Sequence, residues 1–272
     1  MSIVPDPIRA EHNEPPADEH VRPYVYQDQA RTVRALHFSL SEIQSRMRMD
    51  DPDGLDLAYT QRMMGFLLWQ PRPASIALIG LGGGSLVKFC HRHLPGSTLR
   101  VAEINPHVIA LRDDFGIPPD SARLRVVCQD GAVLVRDPPQ RFDVLLVDGF
   151  DWEGLPDALC SQAFYDDCAG ALTDTGWLVA NLPSSASQPL FAVHVARIRQ
   201  TFGADAVLVV GDGERGTNSV VLACRNAQAL RRPGISTRRP AGFDVGAWAA
   251  LQPAMDAVRA ALGAHQSEIG LA

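Results

Sequence analysis

SIALIGLGGGS, residues 75–85, passes from an apolar run through a glycine-rich loop into a helical pattern, and it decides the fold of this chain. We predict a strand at 75–79 and a helix that begins after the glycines. Glycines at such a junction tolerate positive φ and let the backbone approach a ligand closely. Because open α/β sheets bind ligands at the carboxyl ends of their strands, the loop marks a binding edge.

Strands and helices alternate along the chain beyond this loop. We predict strands at 98–104, 124–129, 142–148 and 177–182, helices at 106–115, 132–136, 162–172 and 190–202, and two last strands at 206–210 and 219–224 that could pair as an antiparallel edge. Asn181-Leu182-Pro183 is interpreted as a turn at a strand end. This alternation is typical of a mostly parallel sheet, here of seven strands, with helices on both faces.

The chain divides into four regions by composition. Residues 1–20 are polar and proline-rich and are predicted to be disordered. Residues 21–70 form a small β-hairpin region plus a linking helix at 57–69, and residues 71–226 form the α/β catalytic domain. Residues 227–272 hold a basic loop and a C-terminal helix at 245–262, which packs either on the domain or against a second subunit.

Composition excludes some classes of protein. Hydrophobic residues make up 46% of the 272 residues, which allows a large core, and the net charge of −6 argues against a general nucleic-acid binder. The five cysteines lack the spacing of a zinc site, so we predict no metal and a reducing, cytoplasmic compartment. No apolar segment is long enough for a membrane span.

Acidic residues end the next three predicted strands. Glu103 ends the second strand, where a carboxylate can accept both hydroxyls of a ribose. Asp130 ends the third strand, where its carboxylate can accept a hydrogen bond from the amino group of an adenine. Asp148 ends the fourth strand, near the reactive end of a ligand. Together with the loop they predict a nucleoside site of the S-adenosylmethionine type. Two alternatives stay open: a nicotinamide dinucleotide site, whose fingerprint needs glycine or alanine at Ser85, and acids that only cap helices or turns.

The region from about 35 to 224 resembles the spermidine synthases, or polyamine aminopropyltransferases. The motifs that carry the resemblance are LIGLGGG at 78–84, VAEI at 101–104, QDG at 129–131, FDVLLVDGFD at 142–151, LCSQAFY at 159–165 and IQS at 43–45. The resemblance implies a Rossmann-like fold of the S-adenosylmethionine-dependent methyltransferase type with a small N-terminal β region. It also implies a homodimer or tetramer, of which we expect the homodimer, and no partner among nucleic acids or membranes.

The resemblance also implies roles for individual residues. In this family the glycine loop and the strand ends hold decarboxylated S-adenosylmethionine, which here assigns the cofactor to Gln44, Gly80, Gly82, Gly83, Gly84, Glu103, Ile104, Asp130 and Gly131. Asp148 is expected to be the catalytic acid-base residue, and Asp151 to clamp the amine substrate. An attacking amine must be neutral, so a carboxylate that takes its proton suits this chemistry.

The substrate half departs from the family pattern. Ser85 stands where polyamine synthases carry an Asp after the three glycines, and this removes a reason to select the decarboxylated cofactor. The family's acidic pair before a tyrosine is reduced to Asp56 before Tyr59. Trp152 and Glu153 lie in the loop after the fourth strand. They either form a pocket that binds a cationic substrate, by cation-π and charge contacts, or form a lid without a substrate role.

Three functions are therefore compatible with the sequence. The leading hypothesis is a spermidine synthase-like enzyme that transfers an aminopropyl group to a small amine or polyamine. The first alternative is an S-adenosylmethionine-dependent methyltransferase of a small molecule, which Ser85 favours. The second is a catalytically silent nucleoside-binding homologue, against which the retained Asp148 and Asp151 count.

Overall fold

The computed structural model of the chain describes residues 20–38, 43–150, 155–184, 190–211, 218–231, 235 and 238–270. The strands are β1 (Tyr24–Gln27), β2 (Val33–His37), β3 (Ile43–Arg48), β4 (Ser75–Ile79), β5 (Thr98–Glu103), β6 (Leu124–Cys128), β7 (Phe142–Val147), β8 (Leu172–Pro183), β9 (Val207–Val210) and β10 (Asn218–Cys224). The helices are α1 (Ala58–Met63), α2 (Ser85–His93), α3 (Pro106–Ala110), α4 (Gly131–Arg136), α5 (Gln162–Ala171), α6 (Leu190–Phe202), α7 (Gln228–Arg231) and α8 (Val245–Glu268). The predicted disorder of 1–20 falls, apart from His20, outside the described residues.

Strands β4 to β10 form one seven-stranded sheet in the order β6-β5-β4-β7-β8-β10-β9. Pairing is parallel from β6 to β8, and β10 runs antiparallel to both of its neighbours. The chain moves outward from β4 to β6 and then returns to β7 on the other side of β4. The carboxyl ends of β4 and β7 therefore meet at a topological switch point, where sheets of this kind bind ligands. The predicted Rossmann-like α/β fold and its antiparallel edge are confirmed.

The N-terminal region is a three-stranded antiparallel sheet in the order β1-β2-β3, so the expected hairpin gains a strand. The four residues of β1 are too short for a clear alternating pattern. Ser45 and Met47 alternate along β3 on one face and are buried, whereas Met49 lies beyond the end of the strand at Arg48 and is exposed. This buried face lies against the glycine loop: a β-carbon added to Gly83 would lie 2.7 Å from Ser45 Oγ.

Each face of the large sheet carries its own apolar core. One face packs against α1, α2 and α8 and includes Trp177 and Met255, while the other packs against α4, α5 and α6. The C-terminal helix α8 contacts α1 and β9 and buries Val258 against this domain. The structure therefore places that helix on the domain, which was one of the two predicted alternatives.

Several predicted boundaries differ from the structure: β8 begins at Leu172 and not at 177, and α8 continues to Glu268 and not only to 262. The helix expected at 106–115 ends at Ala110, because the chain turns through Gly116 at a φ of 64° and buries Phe115 under the glycine loop. Asn181 lies inside β8, where it pairs with Val220 of β10, and not in a turn at the end of the strand. That register places its side chain in the sheet, beside the site described next.

Candidate functional site

A pocket of about 250 Å³ opens at the carboxyl ends of β4, β5 and β6. It is lined by His20, Val21, Phe38, Ile79, Gly80, Ala102, Glu103, Ile104, Asn105, Asp130, Gly131, Gly149, Phe150, Pro156, Ala158 and Leu159. Five of the predicted cofactor residues are in this set: Gly80, Glu103, Ile104, Asp130 and Gly131. The walls are mostly apolar with two carboxylates, which is a composition typical of small-molecule sites.

The glycine loop has the backbone that its sequence predicts. Gly80 and Gly84 have φ values of 92° and 69°, which disfavour residues with a β-carbon. A β-carbon on Gly80 would lie 2.3 Å from the carbonyl oxygen of Asp148, and one on Gly84 would lie 2.4 Å from the side chain of Ile117. These glycines therefore also allow the loop to pack closely against the protein, in addition to any approach to a ligand.

Glu103 lies buried at the end of β5 and ties the glycine loop to the next turn. Its two carboxylate oxygens accept hydrogen bonds from the backbone N–H of Leu81 at 2.8 Å and of Asn105 at 2.9 Å. Burial raises the pKa of Glu103 above its ordinary value, and these backbone N–H groups oppose the shift. The backbone N–H groups of Gly82 and Ile104 also favour the ionised form of Glu103.

Asp130 and Asn105 begin the helices that follow β6 and β5. The carboxylate of Asp130 caps α4 by accepting from the N–H of Ala132, and the side chain of Asn105 caps α3 by accepting from the N–H of His107. Asn105 also donates from Nδ2 to the carbonyl oxygen of Val21 at 2.8 Å. This bond fixes the segment before β1 as a wall of the pocket, a contribution that the sequence analysis missed because polar residues of a proline-rich stretch carry no pattern.

Asp148 follows β7 beside this pocket, not in its lining, and it is held by two side chains. Tyr59 of α1 donates its hydroxyl to Oδ2 of Asp148 at 3.2 Å, and Asn181 of β8 donates Nδ2 to Oδ1 at 2.8 Å. Burial raises the pKa of Asp148 above its ordinary value, and the hydrogen bonds from Asn181 and Tyr59 oppose the shift. Burial and the facing carboxylate also raise the pKa of Tyr59 far above its ordinary value. A half-buried carboxylate with a raised pKa is suited to accept and release a proton.

Two curated proteins similar to this chain are described as polyamine aminopropyltransferases. A 150-residue part is 43% identical to the polyamine aminopropyltransferase of Chromobacterium violaceum and covers 55% of this chain and 58% of the relative. A longer part, of 226 residues, is 27% identical to the polyamine aminopropyltransferase of Vibrio vulnificus and covers 78% and 75% of the two chains. The chain thus spans about 58% of the length of the first of these relatives. A scan against protein-family models finds no match.

Solved structures agree at the level of the fold. A probable spermidine synthase from Corynebacterium glutamicum superposes with a TM-score of 0.64 at 16% identity, over 85% of this chain and 91% of that one. A spermidine synthase in complex with the transition-state analogue AdoDATO gives 0.57 at 19% identity, over 89% and 88%. The chain therefore shares the fold of these spermidine synthases. Human methyltransferase-like protein 13 in complex with SAH has the same fold, with a TM-score of 0.51 at 20% identity over 74% and 89%.

The remaining predicted site residues of the chain are spread around the pocket. Tyr59 reaches Asp148, as described above. Gln44 is half-buried on β3, and Gly82, Gly83 and Gly84 lie in the loop, but these four are not part of the pocket lining. Asp151, Trp152 and Glu153 lie outside the described residues.

Two other sequence features have structural counterparts. Ser85 is the first residue of α2 and is buried, 9% exposed. Asp56, the single acid that remains before Tyr59, forms an ion pair with Arg46 of the N-terminal sheet. Asp56 therefore links that sheet to the segment that enters α1.

Among the described residues, no group of three or more His, Cys, Asp or Glu side chains has the arrangement of a metal site. Within the same ranges, no helix is both long and apolar enough to traverse a bilayer. The five cysteines are free thiols, and four of them are buried.

Proposed function

We propose that this protein transfers an aminopropyl group from decarboxylated S-adenosylmethionine to a small amine or polyamine. The observation that carries the proposal is the position of Asp148, held between Tyr59 and Asn181, directly beside a pocket lined by Gly80 and Glu103. The polyamine aminopropyltransferases similar to this chain support it.

The donor would occupy the pocket at the ends of β4, β5 and β6. Glu103 would accept hydrogen bonds from the two ribose hydroxyls, and the half-buried carboxylate of Asp130 would accept one from the adenine amino group. The backbone of the glycine loop would lie against the ribose and the sulfonium arm. The pocket's mostly apolar walls suit the flat purine ring, and its acids suit a ligand that carries positive charge.

The reaction would be a displacement at carbon. The lone pair of the neutral acceptor amine forms a C–N bond to the aminopropyl carbon, the C–S bond breaks, and its electron pair returns to sulfur. The products are the extended amine and methylthioadenosine, and Asp148 accepts the proton that the new ammonium releases. Alignment of amine and carbon supplies much of the acceleration, because the approach must be in line with the leaving sulfur.

Product analysis tests this function. The full chain is incubated with decarboxylated or intact S-adenosylmethionine and with putrescine, spermidine or other amines. We expect methylthioadenosine and an amine extended by one aminopropyl group, from the decarboxylated donor. S-adenosylhomocysteine with a methylated product would replace the proposal by the methyltransferase alternative, and tight donor binding without either product would replace it by a silent nucleoside-binding homologue.

The methyltransferase alternative has one specific observation in its favour. Ser85 begins α2, where the resembling family has an Asp that meets the aminopropyl amine, and a serine hydroxyl carries no charge to select that amine. Ser85→Asp is therefore the variant that separates the donors. We expect it to raise the preference for the decarboxylated donor over the intact one, and the control is the same ratio in wild type.

The proposal includes a cytoplasmic location and a homodimer. Four buried free thiols are compatible with a reducing compartment. Light scattering of the purified chain, whose monomer mass is 29.5 kDa, would separate a dimer from a monomer.

A further inference from the structure

Asn181 is a buried polar residue in a stretch of β8 whose other residues are buried and apolar. Trp177, Leu178, Val179 and Ala180 before it and Leu182 after it are all buried apolar residues, as the interior strand of a sheet covered on both faces requires. Asn181 is itself only 1% exposed. Because strand side chains alternate between faces, it lies on the face of Trp177 and Val179, the face covered by α1.

The nitrogen of the Asn181 amide has a hydrogen-bond partner, but its oxygen has none among the described residues. Nδ2 donates to Oδ1 of Asp148 at 2.8 Å, while Oδ1 of Asn181 is buried without a hydrogen-bond partner among the described residues. A buried acceptor without a partner costs free energy that an apolar side chain would avoid, so its presence calls for a reason. The opposite orientation of the amide would direct its oxygen at an ionised carboxylate, so Asp148 dictates the orientation observed.

We propose that Asn181 is a positioning residue, whose amide fixes the Asp148 carboxylate and stabilises its ionised form so that Asp148 can accept the proton released in the transfer. This inference rests on the proposed function for its catalytic consequence. The contact itself is a property of the resting protein and can be measured without turnover.

Of the two side chains that donate a hydrogen bond to Asp148, Asn181 does more to stabilise its ionised form. Among the described residues, the titratable group that faces Asp148 is Tyr59 of α1, which donates over a longer distance, 3.2 Å. The neighbouring ends of β4 and β8 contribute Gly80 and Asn181, neither of which titrates. Burial opposes ionisation of Asp148, and the amide of Asn181 is the larger of the two hydrogen-bond contributions that favour it.

The test is Asn181→Leu, which keeps the approximate volume and removes the donor. We expect kcat with a small amine to fall about tenfold, with a smaller change in KM, and the acid limb of the kcat profile to move up by roughly one pH unit. The matched control is Ser219→Ala on the neighbouring strand β10, which removes a part-buried hydrogen bond from the Ser219 hydroxyl to Ser184, the residue after β8. That control is expected to leave the acid limb in place.

A second readout separates this inference from the function. Carboxyl carbon NMR of Asp-labelled protein, with the Asp148 signal assigned by its loss in Asp148→Asn, gives the titration of Asp148 without substrate. We expect the midpoint to rise in Asn181→Leu, and in Asn181→Ala if the leucine variant does not fold. An unchanged midpoint overturns the inference whatever the activity. A shifted midpoint in a protein that forms no methylthioadenosine supports the contact and overturns the proposed function alone.

Discussion

At the scale of single residues, the proposed chemistry depends on the ionised carboxylate of Asp148. Asp148→Asn keeps the size of the side chain and removes its capacity to accept a proton. We expect kcat for methylthioadenosine formation to fall about 10²- to 10⁴-fold, the range by which a positioned base contributes, with little change in donor affinity. The measurement is steady-state kinetics, with calorimetric titration of the donor.

Asp174→Asn is the matched control for this prediction. Asp174 lies at the other end of β8 and its side chain is 92% exposed, so the same chemical change should leave kcat as in wild type. A value of kcat for Asp148→Asn within threefold of wild type would remove Asp148 from the mechanism.

At the scale of elements, the segment before β1 is tied to the pocket through the start of α3. Asn105→Ser retains a good cap for α3, but the shorter side chain does not reach the carbonyl oxygen of Val21. We therefore expect the free energy of unfolding to change by less than about 1 kcal/mol while the Kd of the donor rises several-fold, because His20 and Val21 line the pocket. Calorimetric titration and denaturant unfolding check the two parts, and equal donor affinity in both proteins would contradict the wall's role.

The contact between α2 and the N-terminal sheet is also open to a test. Lys88, the only lysine among the 272 residues, is buried on α2 and donates to the carbonyl oxygen of Phe115 at 2.8 Å and to Met47 of β3. Burial lowers its pKa from 10.5 to about 8, an effect that the charge of Asp53 opposes. Between these two values the unfolded chain binds more protons than the folded chain, so this group's contribution to stability increases as pH rises from about 8 to 10.5.

The prediction is a difference in slope between wild type and Lys88→Met. Buried thiols such as Cys90, whose pKa is raised to about 12, act in the opposite direction above pH 9 in both proteins, so only the difference reports on Lys88. Urea unfolding at pH 8, 9 and 10 should show the stability of wild type increasing relative to the variant. Parallel curves would mean that the amine is not desolvated.

At the scale of the whole molecule, the sequence predicts the sheet and its binding edge well, because short continuous apolar runs and a glycine loop are local signals. The parts that it misses depend on contacts between distant segments. The bond from Asn105 to Val21 spans 84 positions and that from Asn181 to Asp148 spans 33, and neither follows from a local pattern. The sequence predicts a turn at Asn181 because Asn and Pro favour turns, but the pairing of β8 with β10 overrides that preference.

The structure also changes the explanation of the glycine loop. The sequence suggests that the glycines serve a ligand, whereas Gly80 is required as well by the carbonyl of Asp148, which would lie 2.3 Å from an added β-carbon. The donor loop and the proposed base are thus packed as one unit. A ligand that orders this loop should therefore stabilise the fold around Asp148 as well as its own pocket.

Thermal unfolding tests donor binding to the folded molecule as a whole. A ligand that binds only the folded chain at about 100 times its Kd adds roughly 2.7 kcal/mol. For a chain of 272 residues this corresponds to an increase in Tm of about 5 °C. We expect methylthioadenosine and decarboxylated S-adenosylmethionine to give such a rise and putrescine alone to give almost none, because the proposal assigns the described pocket to the nucleoside part of the donor. Glu103→Gln, which weakens the acceptor proposed for the ribose, should reduce the rise, and an undiminished rise in that variant would move the ribose away from Glu103.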